Sequence, residues 1–490
     1  MQSPTHPAPA ELSPLASRLV VVVLCLGALA GALTQTMLMP VQRQLPALLD
    51  TSISNASWVI TATLLGAAVS MPVAGRLGDL FGKKRILVAC ATFLFAGSAL
   101  CALTDTLTPM LLGRVMQGLA MGYMPVAISL VREVTPPKMA TSAMATLSAT
   151  MGVGGAIGMP LAAWIAQEHE WHALFWVSAG IAVVVLAATV LLVPSRPALN
   201  PGRFDPFGTI GLTIGLVATL VGISKGTDWG WTSGRTWLFL ALGLVTLLAW
   251  GRHQLGHPNP LVDLRTTARR PVLFTNLAAL LVGFGMMAQS IVVPQLLTMP
   301  AATGFGLDQS LLQAGLWMAP GGILMLLLAP VSSRLLTNLG PRISLVIGAC
   351  FLGAGYLVGL FFMTESWHML LIMCICSVGV AVGYASMPML ILENVPMHEA
   401  GSSVGVNNLM RSIGTTLAGA AMAAVLTSKT FTLAPGAAAI PAEETFRWTF
   451  LIGAVAAFVG ALLALAIPKR KPVIDPPLEA RVGEPATLAD

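Results

Sequence analysis

The stretch "PVAGRLGDLFGKKR", residues 72–85, sets three glycines and one acid, Asp79, among four basic residues. Apolar runs lie on both sides of it. Much of it returns later in the chain as "PVSSRLLTNLGPR", residues 330–342. Pro72 matches Pro330, Arg76 matches Arg334, Leu77 matches Leu335 and Gly82 matches Gly340, each offset by 258. "GLAMGY" at 118–123 matches "GVAVGY" at 379–384, and Glu133 matches Glu393. The chain is therefore internally duplicated. Parallel repeats in an apolar chain are the plan of a transporter whose halves rock about a site between them.

Composition fixes the solvent. Of 490 residues 56% are hydrophobic and only 9% charged, with mean hydropathy +0.82. Soluble domains carry roughly 25% charged residues, so this is a membrane protein whose partner is the lipid bilayer. The net charge of +6 comes from short basic clusters between apolar runs, which argues against nucleic acid. The six cysteines all fall in apolar runs without metal-ligand spacing, and read as small core hydrophobes. No metal or cofactor is expected. The absence of a buried acid, a Ser–His pairing or metal spacing argues against an enzyme.

Apolar runs of the right length predict fourteen spans. They group as a tail over 1–17, a six-helix bundle over 18–193, a linker with two inserted spans over 194–270, a second six-helix bundle over 271–467 and a tail over 468–490. With the N-terminus inside, nineteen Lys and Arg fall on the inner side and five on the outer. That bias sets both termini in the cytoplasm. The excess of Arg over Lys, with abundant Ala and Gly, points to a GC-rich bacterial genome and so to a bacterial cytoplasmic membrane. A monomer is expected.

Gly75, Gly78 and Gly82 permit a tight inner turn. Asp79 can face the positive N-terminus of a neighbouring helix, and Arg76, Lys84 and Arg85 stand beside it. A contact that forms in one conformation and breaks in another is a gate. "GRLGDLFGKKR" at 75–85 resembles the loop signature of the major facilitator superfamily, and "GRVMQG" at 113–118 resembles its fourth-span motif. Fourteen spans in a 6+2+6 plan look like the drug/proton antiporter branch typified by EmrB and QacA. "FDPFGTIGL" at 204–212 and "GTDWGW" at 226–231 are similar to that branch's seventh span. The resemblance implies export of small amphipathic drug- or antibiotic-like compounds by proton antiport. The chain departs from the pattern in three places. Thr34 stands where the branch has an acid in span 1, and Leu80 follows Asp79 where a basic residue is usual. In "GVGGAIGMP" at 152–160, the antiporter motif of span 5, Gly154, Gly155 and Gly158 are present but Gly158 is separated from Pro160. Those glycines also suit close helix packing.

Every acid and every histidine maps to a loop, a tail or a helix end. Arg114, inside an apolar span, then has no evident counter-charge: Asp105 is about 13.5 Å away along a helix axis. The stripe Arg114, Gln117 and Gly118 is expected on the transport path, as are Arg411 and Asn408. Thr34, Gln35, Asn276, Gln289 and Gln313 are further polar candidates. Two mechanisms stay open. In one, Asp79, Glu133 or Asp50 carries the proton. In the other, an anionic metabolite pairs with Arg114 and the membrane potential drives it out. Uptake is a third, weaker reading.

Overall fold

The computed structural model describes residues 13–39, 41–42, 44–197, 203–432 and 439–468. Most of both expected tails lies outside these residues. The helices are α1 (Pro14–Thr36), α2 (Trp58–Phe81), α3 (Lys83–Ala102), α4 (Leu107–Leu119), α5 (Tyr123–Val134), α6 (Pro137–Glu168), α7 (Ala173–Leu192), α8 (Pro206–Trp229) and α9 (Gly234–Gly256). They continue as α10 (Arg270–Thr298), α11 (Leu311–Leu327), α12 (Ala329–Phe361), α13 (Ser366–Asn394), α14 (Ala400–Ser428) and α15 (Glu443–Leu465). Among the described residues, twelve helices are long and apolar enough to cross a membrane. Two expected spans are not among them. The fourth is interrupted by a 3-10 turn, Ala120–Gly122, between α4 and α5. The tenth falls partly on α11, which has 17 residues, and partly on the first turns of α12.

Local chemistry sets the helix ends. Pro14 occupies the first turn of α1, where its missing N–H is no loss, and the Ser13 hydroxyl accepts from the Ala16 N–H at 3.2 Å. The helix thus opens a turn before Arg18. Ser310 and Gln313 form a reciprocal capping box at the start of α11.

The two repeated turns have the same backbone device. Gly82, between α2 and α3, has φ 95°, and Gly340, inside α12, has φ 79° with ψ 161°. Only glycine enters that region without strain. The sequence match of Gly82 with Gly340 is therefore a match of conformation, and α12 is two helices meeting at an angle there.

Small residues decide how the helices meet. A side chain at Gly118 would strike Gly66 Cα at 2.9 Å, so α4 and α2 touch through backbone. Gly348 and Gly379 do the same for α12 and α13. With no hydrophobic drive between helices in lipid, such close approach supplies dispersion contact. Helices of the first repeat meet those of the second along two seams, α2 against α14 and α6 against α11 and α13. The inserted α8 covers the first seam through Leu212, Leu216 and Leu220, which join Ala68 of α2 and Val406 and Leu409 of α14 in one cluster. α9 packs on α8 and presents Trp237, Leu242, Val245 and Leu248 outward.

Replacing Gly82 or Gly340 with Ala should destabilise the protein by about 1–3 kcal/mol each. Gly180, a helical glycine with nothing within 4 Å of a built Cβ, is the control. Gly180→Ala should be neutral or slightly stabilising in thermal unfolding of the detergent-purified protein.

Candidate functional site

Asp79 lies in the last turn of α2 and is 4% exposed. Its Oδ1 accepts from the Gly401 N–H at 3.2 Å and its Oδ2 from the Ser402 N–H at 3.0 Å. Those amides belong to the first turn of α14, where N–H groups have no partner within the helix. The positive end of the helix dipole adds to the attraction. Charge-assisted bonds of this kind contribute about 1.5–3 kcal/mol each. Gly75 and Gly401 make the approach possible, since a Cβ on Gly401 would sit 2.6 Å from the Gly75 carbonyl oxygen.

Lys83 is buried behind this contact. Its ammonium pairs with Glu133 of α5 and lies 4.0 Å from Asp79 Oδ1. Lys84 is half-buried and Arg85 exposed. The structure thus draws in Lys83, which the sequence reading left out of the gating set. Its four-residue spacing from Asp79 was the available signal, obscured by the break at Gly82. Arg76 is also buried in the last turns of α2. Arg132 Nη1 donates to the Leu392 carbonyl at 2.6 Å, a second link between the repeats at this end.

Arg114 is 2% exposed, and at mid-membrane a bare guanidinium costs about 2.5–3.5 kcal/mol or more. Its Nε donates to the Val59 carbonyl at 3.1 Å and its Nη1 to Gln117 Oε1 at 2.6 Å. Gln117 in turn donates to Ser98 Oγ at 2.9 Å. The stripe Arg114, Gln117 and Gly118 therefore faces α2 and α3 within the first repeat. Backbone and amide oxygens supply the negative partner that the sequence left open.

The other expected residues separate. The Thr34 hydroxyl donates to the Ala30 carbonyl of its own helix at 2.8 Å, and Gln35 is half-buried beside it. Gly154 and Gly158 meet Ala32 and Thr36 of α1, so that face of α6 is a packing surface. A Cβ on Gly155 would sit 3.9 Å from Thr36, and Pro160 abuts Gly315 of α11. Gln313 is exposed and its side chain caps α11.

Arg411, Asn408 and Asn276 are brought together with Asn407 on and beside α14. Asn407 Nδ2 donates to Asn276 Oδ1 at 2.9 Å. Neither side-chain amide atom of Asn408 has a partner, nor does Asn276 Nδ2 or Gln289 Oε1. The Arg411 guanidinium lies 4.4 Å over the Tyr384 ring and 3.8 Å from Met151 Sδ. Tyr384 has no polar spacing signal in the sequence and was missed.

Asp205, His253 and His257 each bring one ligand atom within 4.8 Å of the others. Forty-eight residues separate Asp205 from His253, so spacing could not reveal this grouping. Asp205 caps α8 through the Gly208 N–H at 2.7 Å and accepts from Gln254 at 2.8 Å. Burial alone would raise this carboxyl. The bonds from Gly208, Gln254 and His253 outweigh it and hold Asp205 below the usual range.

Residues 24–419 match the family model "Major Facilitator Superfamily". The chain belongs to that superfamily. It is a multi-span transporter and not an enzyme, of a superfamily whose members move small molecules on ion gradients. It is 24% identical to the Multidrug transporter protein MdtP of Bacillus subtilis, over 80% of this chain and 73% of that one. It is 26% identical to a Probable actinorhodin transporter of Streptomyces coelicolor, over 75% of this chain and 65% of that one. The human organic anion transporter MFSD10 superposes with a TM-score of 0.64 at 16% identity, over 92% of this chain and all of that one, which shows the shared fold.

Arg114→Ala should lower thermal stability by about 1–3 kcal/mol, because it strands the Val59 carbonyl and Gln117 in a buried site. Gln313→Ala, which removes half of an exposed capping box, should cost about 1 kcal/mol or less. Unfolding midpoints of the two purified variants check the contrast.

Proposed function

We propose that the chain is a secondary active exporter of small amphipathic drug- or antibiotic-like compounds, driven by proton antiport, and a member of the fourteen-span EmrB/QacA branch. The observation that carries this reading is the Asp79 carboxylate on the first turn of α14. It joins the repeats at one end of the molecule, and α2 and α14 cannot part there without breaking both N–H bonds. Protonation of Asp79 removes the charge that holds the helix end. A proton and the gate are thereby linked at one group, with Lys83 and Glu133 as its electrostatic setting.

The fourteen-span count rests on two further crossings. α4 and α5 run on through one 3-10 turn as a 28-residue segment, about 42 Å long at 1.5 Å per residue. Residues 311–339, up to the bend at Gly340, give a segment of similar length. Both exceed the roughly 30 Å of a bilayer core. This count, with the basic-residue bias, favours the Asp79 end and both termini in the bacterial cytoplasm. Six spans on each side of the inserted α8 and α9, working as a monomer, complete the reading. The multidrug and antibiotic relatives favour export of drug-like compounds. The local bonds of Arg114 weaken the alternative in which a substrate must neutralise that residue.

Purified protein in proteoliposomes, loaded with a fluorescent amphipathic dye, should move dye faster when a pH gradient is imposed at zero voltage. Asp79→Asn should cut that rate at least tenfold while the protein stays folded and inserted. Dye movement indifferent to the pH gradient would contradict antiport, and full activity of Asp79→Asn would contradict the gate. Movement of dye only towards the cytoplasmic side would instead support uptake.

A further inference from the structure

Arg411 is a buried cation with no oxygen partner among the described residues, and unlike Arg76, which is buried with the Asp79 charge near it, it has no acid beside it. Lys83 has Glu133 and Asp79. Lys225, 1% exposed, has Asp228 at 3.1 Å and the Ser54 carbonyl at 3.2 Å. Arg114 has the Val59 carbonyl and Gln117. Arg411 is 6% exposed and touches a thioether and an aromatic face. No carboxylate pairs with it among the described residues. A buried charge left without a counter-ion is unfavourable, and in a transporter such a residue marks the substrate path.

Its surroundings fit a ligand. Met151 comes from α6 of the first repeat and Tyr384 from α13 of the second, so Arg411 stands where the repeats meet. One turn back on α14, Asn408 is 1% exposed with neither amide atom bonded. Gly401, Gly405 and Asn408 follow one helical stripe, and Gly405 lies against Met71 and Pro72 of α2. Asn408 is therefore on the seam that opens when α2 and α14 part. Met151, and Met286 beside the Tyr384 hydroxyl, are flexible apolar walls suited to compounds of varied shape.

We propose that Arg411 is the receptor for an oxyanion, foremost a carboxylate, on the transported compound, with Asn408 as a second polar contact and Tyr384, Met151 and Met286 against its apolar body. The inference rests on the exporter reading and narrows its substrates to amphipathic organic anions. The planar fork of the guanidinium takes both oxygens of a carboxylate. Arg411 and the amides that hold Asp79 lie on the same helix, ten residues or about 15 Å apart. Binding at one is thereby mechanically linked to the gate at the other.

The test compares three fluorescent probes of one shape: 1-pyrenebutyrate, its neutral methyl ester and cationic 1-pyrenebutylamine. Binding is measured on the full-length protein in detergent, and transport in proteoliposomes. The wild type should bind the butyrate at least tenfold more tightly than the ester or the amine. Arg411→Gln should weaken butyrate at least tenfold and leave the ester unchanged, with Arg411→Lys between. Asn408→Asp sets an acid one turn from Arg411 and should abolish the carboxylate preference while preserving the fold. It keeps the inference testable if Arg411→Gln does not fold. Equal affinity for the three probes, or a preference that survives both Arg411→Gln and Asn408→Asp, would overturn the inference. Charge-indifferent binding with intact gradient-driven transport leaves the exporter reading standing. Loss of gradient-driven transport for every probe in the wild type counts against the exporter reading instead.

Discussion

Two amide groups at the start of α14 point at one carboxylate on α2, and the proposed gate rests on this contact. It joins elements more than 300 residues apart in the chain. It also satisfies a helix terminus that would otherwise be buried without partners. The glycines at 75 and 401 serve it by letting backbone approach backbone. Behind it Lys83 pairs with Glu133 and lies 4.0 Å from the Asp79 carboxylate. In the proposed exporter, protonation of that one carboxylate is what releases the contact.

The repeats are alike in backbone but not in chemistry. Gly82 and Gly340 adopt the same kind of positive-φ turn, yet the position that matches Asp79 is Thr337, which is exposed and donates to Ser333 of its own helix. The duplication therefore supplies a symmetric scaffold, and the acid stands on one side only. α8 covers the seam beside that acid. Its buried Lys225 donates to the Ser54 carbonyl and lies over the Trp58 ring.

The fold was legible because the bilayer demands long apolar runs and because the duplicated turn needs the same glycine twice. Asp79 was legible for the same reason: one acid among basic residues at a helix end has few possible uses. Arg114 was only half legible. Its burial could be read, but its partner is a backbone carbonyl, and carbonyls carry no mark in a sequence. Thr34 and Gln313 were half legible in the same way, since their bonds to their own helices leave no mark in the sequence. Tyr384 was visible only as a repeat position matching Tyr123, because its place under Arg411 comes from packing and not from the sequence pattern. The two interrupted spans show a further limit: composition predicts how much apolar chain is present, while a 3-10 turn at Ala120–Gly122 or a break at Leu328 decides how it is divided.

The most direct test of the account is the distance between the ends of α2 and α14. Phe81 and Met397 are exposed on either side of the Asp79 contact and accept spin labels as Phe81→Cys and Met397→Cys, with the exposed native Cys350 replaced. Double electron–electron resonance in lipid nanodiscs should give one dominant short distance in the protein with Asp79 intact, and a broad shift to longer distances in Asp79→Asn. The same distance distribution in both would mean that the carboxylate does not hold the halves together, and the central claim would fall.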